Sequence, residues 1–156
     1  MNKAINNAIG TIVLSQFLKI PVKKMTKGVW DWRMFFETGG MPSSHSAGVS
    51  ALATYIALER GVKTIDFALA TVFGLLVMYD AQGVRRQAGE LTIKLNQLEE
   101  QIERLRGEKD HHYHDHKSKR LKERFGHQPI EVVSGALLGI VTGYLGKCGH
   151  DWLRTL

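Results

Sequence analysis

His45 closes a stretch whose residue types suit the binding of an oxyanion. The stretch reads GGMPSSH, in which glycines and a proline break regular structure just before an apolar run. Ser43 or Ser44 is placed to cap the helix that follows. Free backbone N–H groups and the helix dipole favour an anion at such a helix start, and an imidazole beside it can transfer a proton. The stretch Gly40–His45 therefore predicts a phosphate site that includes a proton-transfer group.

His127 stands in a similar setting near the end of the chain, at the start of another apolar segment. Glu131 follows four residues later, so both side chains share one helix face. A carboxylate in that position can hold an imidazole in one tautomer and stabilise its cation. Between the two histidines, Arg85 and Arg86 follow a third apolar run. Their planar guanidinium groups suit phosphate oxygens, and the alternative is a pair of anchors flanking a membrane span.

Four apolar segments must position these residues, at about 4–20, 46–58, 65–79 and 130–145. None of them has the roughly 20 uninterrupted apolar residues of an unambiguous membrane span without its polar flanks. Hydropathy alone therefore leaves open membrane helices or the buried helices of a soluble bundle. Within the last segment Gly135, Gly139 and Gly143 recur every fourth residue, which puts three glycines on one face and allows close helix packing.

Four spans would bring the candidate residues to one membrane face. Loops 19–43 and 81–127 would share that face, and the connection 59–63 and both termini would lie on the other. Most of the 21 Lys and Arg residues belong to the first face, which the positive-inside tendency makes cytoplasmic. Lys19, at the end of the first segment, is either a phosphate ligand there or a flank lysine whose stem lies along the lipid.

A charged insertion at about 88–124 interrupts the apolar pattern. Its leucines and isoleucine alternate spacings of four and three, the seam of a short coiled coil, at Leu91, Leu95, Leu98, Ile102 and Leu105. We expect an amphipathic helix outside the membrane, ending at Gly107. It would pack on its own bundle or self-associate through 91–106, unless it is a solvated surface helix.

Two short stretches complete the insertion. The histidines within 111–116 fit either a structural or regulatory metal site or a polar loop. The basic run 117–124 suits anionic headgroups.

Composition limits the remaining possibilities. A chain of 156 residues suits one domain, 1–156, and its net charge of +6 favours anionic partners such as phosphorylated substrates or lipids. The single cysteine, Cys148, excludes an intrachain disulfide and a zinc site with several thiolates. We expect no nucleic-acid partner, because the basic loop lacks interleaved aromatic residues on which bases could stack. The expected location is the cell membrane, as an integral protein.

The motifs PSSH, D-A-x-G-V-R-R-x-A-G and H-x3-E-V-x2-G, in this order, resemble a known superfamily. They are similar to the signatures of the type-2 phosphatidic acid phosphatases and vanadium-dependent haloperoxidases, and above all to a small divergent branch of bacterial and plant membrane proteins. The resemblance covers roughly residues 10–100 and 120–146. It implies an all-α membrane bundle of about four transmembrane helices with one extramembrane amphipathic helix.

The resemblance also implies roles for individual residues in the hydrolysis of a phosphate ester without a metal or other cofactor. His127 would be the nucleophile that forms a phosphohistidine, Glu131 would orient it, and His45 would be the general acid. The phosphate would be bound by arginine, lysine and the serine loop, at Arg85, Arg86, Ser43, Ser44, Gly40 and Lys19.

Departures from the superfamily pattern keep other functions open. Ser44 stands where glycine is usual, Glu131 where aspartate is usual, and Arg86 is far from His127 in the sequence. The alternatives are a non-catalytic membrane protein that binds phosphate or anionic lipid headgroups, and a coiled-coil membrane scaffold.

Overall fold

All regular structure in the described part of the chain is helical, which confirms the predicted all-α class. A computed structural model of the protein describes residues 2–28, 30–36, 39–106 and 128–155. The helices are α1 (Lys3–Lys27), a short 3-10 helix (Trp32–Phe36), α2 (Ser44–Arg60), α3 (Ile65–Gln82), α4 (Val84–Arg106) and α5 (Pro129–Arg154). The predictions for Gly107, the histidine-rich stretch 111–116, the basic run 117–124 and His127 lie outside the described residues.

Local chemistry sets where the helices begin and end. Ser43 caps α2 by accepting the Ser46 N–H at 3.4 Å, and Thr64 caps α3 by accepting the Phe67 N–H at 3.4 Å. Gly28 ends α1 in the left-handed region at φ 72°, where its N–H reaches the Lys24 carbonyl at 2.8 Å. Only Gly83 separates α3 from α4.

The glycine face of α5 packs directly on the backbone of α2. A Cβ atom built on Gly135 or Gly139 would clash with the carbonyl oxygen of Ser43 or Ala47, and one on Gly143 would lie 2.7 Å from the Ala51 carbonyl oxygen. Only glycine lets the two backbones come this close, so the close packing predicted from the spacing is confirmed. Because successive α5 residues meet successive α2 residues, the two helices run parallel.

α1 packs antiparallel to this pair. The Thr11 hydroxyl donates to the Thr142 hydroxyl at 2.9 Å, and Ile12 fills the space over Gly48. Nearer the start of α1, Asn7 lies against Gly146. One end of the bundle therefore holds the later half of α1 and the beginnings of α2 and α5, and the other end holds the start of α1 and the end of α5.

The packing places small and polar side chains inside and large apolar ones outside. Buried positions within the helices are mainly alanine, glycine and hydroxyl residues, at Thr11, Ser15, Ser46, Ala47, Ser50, Ala51, Gly135, Gly139 and Gly143. The large exposed apolar residues of α3 and α5 include Leu69, Phe73, Leu76, Val133, Leu137, Val141 and Leu145. Such an inverted distribution suits lipid rather than water as the surrounding medium.

Two helical stretches are long and apolar enough to cross a membrane. One is Ile65–Ile102, where α3 continues into α4, and the other is Pro129–Arg154. The predicted number of four spans stays a prediction, since α1 and α2 do not meet the same criterion in the described residues.

An ion cluster joins α2 to α5 at the end that holds the chain termini. Lys147 is buried, its Nζ lies 2.9 Å from Glu59 Oε2, and it also pairs with Asp151. The hydrogen bond from Lys147 is the main reason that the pKa of Glu59 lies below its ordinary value. This cluster fixes the far end of the α2–α5 pair.

The glycine contact can be tested with a single methyl group. Gly139→Ala should destabilise the protein by about 1 to 3 kcal/mol, because the new Cβ must separate the α2 and α5 backbones. Gly149→Ala in the same helix is the matched control, since nothing lies within 4 Å of its Cβ. Thermal unfolding of both variants in detergent measures the difference. Equal melting temperatures for the two variants would contradict the packing described here.

The ion cluster predicts a dependence of stability on pH. A lowered pKa means that Glu59 stabilises the fold above its ordinary pKa and loses this effect as the pH falls through the lowered value. Glu59→Gln should therefore lower the melting temperature by a few degrees at neutral pH and show less acid sensitivity than the wild type. Asp66→Asn is the control, since its pair with Arg60 is exposed and long, at 3.6 Å. A Glu59→Gln variant with unchanged acid sensitivity would refute the assignment.

Candidate phosphate site

A backbone hydrogen bond joins the two histidine-containing motifs. The Ser43 N–H donates to the Glu131 carbonyl oxygen at 3.0 Å. The Gly135 backbone lies against Ser43 one turn further along α5. Two segments that are far apart in the sequence thus meet at one end of the bundle, and the side chains of Ser43 and Ser44 are both buried there.

Lys19 reaches the same place from α1 and is fully buried, with 0% exposure. A Cβ atom on Gly40, whose φ is 92°, would lie 3.8 Å from Lys19 Cδ, so the aliphatic stem of the lysine passes next to the glycine turn. This burial does not fit a flank lysine that extends along the lipid. A charged group buried at the end of a membrane helix is expensive, and such residues commonly serve a function.

The α1 face that carries Lys19 was not recognised from the sequence. Asn7, Thr11 and Ser15 precede Lys19 at intervals of four, so all four residues project from one side of the helix toward α2 and α5. Thr11 and Ser15 are buried as well, at 3% and 0% exposure. A search for polar residues at helical spacing inside the apolar segment 4–20 could have identified this face.

His45 lies in the first turn of α2, two residues after the Ser43 cap, and is half-buried. Lys19, His45 and Glu131 all have interaction partners in the fold. His127 lies outside the described residues, so its predicted role as nucleophile stays a prediction.

The Glu131 carboxylate accepts the backbone N–H of Gln128 at 3.1 Å, which caps the start of α5. Its second oxygen is not needed for that bond. Glu131 therefore caps α5, and its predicted role as the group that orients His127 stays a prediction.

The beginnings of α2 and α5 add their dipoles at this end of the bundle. Both helices run parallel from here, so the partial positive charges of their N-termini lie close together. The buried side chain of Lys19 passes the glycine turn in the same region. Two helix N-termini and one buried lysine, together with the buried serines Ser43 and Ser44, make this end of the interior suited to an oxyanion.

The backbone of Arg85 and Arg86, in the first turn of α4, lies at the end of the bundle where α2 and α5 begin. α3 packs antiparallel to α2, with Gly74 against Val49, and it ends at Gln82 near the level where α2 begins. The Gly83 N–H closes α3 by donating to the Tyr79 carbonyl at 2.8 Å. Lys19, Ser43, Ser44, His45 and the backbone of both arginines thus lie toward one end of the bundle, and their predicted position at one membrane face stays a prediction.

In its described part the protein is a helical bundle with apolar outer faces that suit lipid and one polar, basic end. This arrangement is typical of helical membrane proteins. A family model described as the "Divergent PAP2 family" matches residues 1–142, and the chain belongs to that family. The resemblance inferred from the motifs is thereby confirmed.

A similar protein is also named as a membrane protein. The chain is 43% identical over 138 residues to the protein named "Uncharacterized membrane protein YuiD" of Bacillus subtilis (strain 168), covering 86% of this chain and 87% of that protein. No solved structure matches the chain. The chain is therefore a membrane protein related to the PAP2 superfamily.

The burial of Lys19 predicts a specific binding defect. Lys19→Met should weaken the binding of orthovanadate or inorganic phosphate by about 10- to 100-fold, because a charge-assisted hydrogen bond is lost at nearly constant side-chain volume. Lys24→Met, at an exposed position of the same helix, should leave the affinity within about twofold, since its charge is screened by solvent. Titration calorimetry of the purified protein in detergent measures both. Equal affinities for the two variants would exclude Lys19 from the site.

Proposed function

We propose that the protein hydrolyses a phosphate ester through a phosphohistidine intermediate. The observation that carries the proposal is the meeting of Ser43 with Glu131 beside the buried Lys19. Each of the two proposed catalytic histidines is within four residues of that junction in the sequence. Membership of a PAP2-related family supports the same reaction class.

In the proposed reaction, His127 attacks phosphorus and the bond to the ester oxygen breaks. His45 gives its proton to the departing oxygen, which leaves as an alcohol. Water then attacks the phosphohistidine, His45 accepts a proton from that water, and inorganic phosphate leaves with His127 restored. Glu131 would stabilise the imidazolium that forms at His127.

The charge that develops on the phosphoryl oxygens would be balanced by fixed positive groups. Lys19, the serine loop from Gly40 to Ser44 and the two helix N-termini would surround the phosphate, and Arg85 and Arg86 begin α4 at the same end. Preorganised donors of this kind stabilise a transition state without reorganisation during the reaction.

A lipid-linked phosphate ester is the substrate class that suits the surroundings of the site. The proposed site lies at an end of the bundle, and the outer faces of α3 and α5 carry large apolar residues over most of their length. A substrate with an acyl or prenyl chain could keep that chain in the lipid while its phosphate enters the polar end. We further propose that this end faces the cytoplasm in the cell membrane, because most of the basic residues belong to its loops.

One observation favours a second candidate function, the binding of phosphate or an anionic headgroup without turnover. The Glu131 carboxylate is engaged in capping α5, and this role does not depend on catalysis. The same lysine, serine loop and helix N-termini would bind the anion in either case.

Release of phosphate from two esters with different leaving groups separates the roles of the histidines. His127→Ala should abolish release from both para-nitrophenyl phosphate and phosphatidic acid in nanodiscs, because no nucleophile remains. His45→Ala should slow release from phosphatidic acid by about 100-fold or more and affect the nitrophenyl ester much less, since a good leaving group needs no proton. Vanadate should inhibit the wild type.

His150→Ala, at the opposite end of the bundle, is the matched control and should retain turnover. Wild-type protein that binds vanadate but releases no phosphate from either ester would favour the binding function. Equal loss on both esters for His45→Ala would remove its role as the general acid.

A further inference from the structure

Helix α4 presents an apolar stripe that the described part of the chain leaves uncovered. Leu91, Leu95, Leu98 and Ile102 are all exposed, between 43% and 66%. Among the described helices, α4 contacts only α3, the helix that it follows. A stripe of four large aliphatic side chains on a largely polar helix is unfavourable in water unless something covers it.

Two positions of α4 away from the stripe are buried. Gly89 is buried and Asn96 is 4% exposed, and both lie away from the leucine stripe. In heptad notation the stripe occupies positions a (Leu95, Ile102) and d (Leu91, Leu98), and Gly89 and Asn96 fall at position b. The helix therefore packs through its small and polar side and leaves its coiled-coil side available.

We infer that this stripe is covered by α4 of a second copy of the chain, in a parallel two-stranded coiled coil. Charge complementarity supports this occupant. Lys94 falls at position g and Glu99 at the following position e, and in a parallel pair these two positions face each other between chains. Because the dimer is two-fold symmetric, this attractive pair occurs twice. Lys94 of each copy faces Glu99 of the other copy.

Membrane geometry is compatible with the parallel arrangement. Two copies in one bilayer must share the same orientation, so their two-fold axis lies along the membrane normal. Parallel helices that pair along such an axis both begin at the same membrane face, where α4 follows α3.

The lipid surface fits the stripe less well. Helices that lie on anionic membranes carry an excess of basic residues on their polar side. Beyond Arg85 and Arg86 of its first turn, α4 has four glutamates and three basic residues from Gln87 to Arg106, so the part that carries the stripe has no basic excess. Its charge therefore favours a protein partner with the same mixed pattern.

Cross-linking of the full-length protein in native membranes tests the inference directly. In a Cys148→Ser background, Leu98→Cys should form a disulfide-linked dimer under mild oxidation, because position d faces its own symmetry mate at a Cα separation within disulfide range. Gln97→Cys, exposed and adjacent but off the stripe, is the matched control and should give at least fivefold less dimer. Equal cross-linking at both positions, or none at Leu98, would overturn the proposal.

A charge exchange provides a second test that keeps the hydrophobic stripe intact. Purified wild type in detergent should show a protein mass twice the chain mass of 17.5 kDa. Lys94→Glu should reduce the dimer fraction at least fivefold, and the double variant Lys94→Glu with Glu99→Lys should restore it. A monomeric wild type would overturn the inference. It would also be overturned if a fluorescent bimane label on the introduced thiol of the Leu98→Cys variant were quenched by quenchers carried on lipid, because the stripe would then lie on the membrane of a monomer. Failure of the double variant to recover would exclude the parallel register.

Discussion

The direct contact between the glycine face of α5 and the backbone of α2 is the constraint on which the rest of the structure depends. Gly135, Gly139 and Gly143 set both the distance and the register of the two helices. With Gly135 fixed against Ser43, the start of α5 lies beside the loop that precedes α2, and the Ser43 N–H reaches the Glu131 carbonyl. The contact that packs the bundle is therefore also the contact that assembles the candidate site.

The inverted distribution of side chains explains why such packing is needed. Lipid surrounds a membrane helix with material as apolar as leucine, so burying leucine between helices gains little. Close backbone contact and interhelical hydrogen bonds must take its place, and both occur here, at the glycine face and between Thr11 and Thr142. The polar interior that results can also accommodate Lys19, which an ordinary hydrophobic core would exclude.

Sequence patterns could predict the features that depend on spacing along one helix. The glycine repeat identified a packing face, and the four apolar segments located α1, α2, α3 and α5. The helices extend beyond the apolar segments because backbone hydrogen bonding and caps, rather than hydropathy, determine their ends. α1 continues through Pro21 to Lys27, and α5 continues to Arg154.

Features that depend on contacts between helices could not be predicted in the same way. The sequence leaves Lys19 as either a phosphate ligand or a flank residue, and only the packing of α2 and the glycine turn against it shows that it is buried. The pairing of Glu59 with Lys147 likewise requires that the ends of α2 and α5 lie against each other, which no pattern within either helix indicates. The order of the apolar segments does predict that α1 ends and α2 and α5 begin at one end of the bundle, and the side of the membrane that this end faces stays a prediction.

The inferred dimer and the candidate site are connected through a single short link. α4 begins with the two arginines after Gly83 and continues directly into the leucine stripe. A helix of this length transmits orientation from one end to the other, because its backbone hydrogen bonds resist bending. Pairing of the stripes would therefore fix the direction of the first turn of α4 relative to the bundle. In this arrangement the dimer contact restricts where the backbone of Arg85 and Arg86 can lie, because a single residue, Gly83, connects α4 to α3.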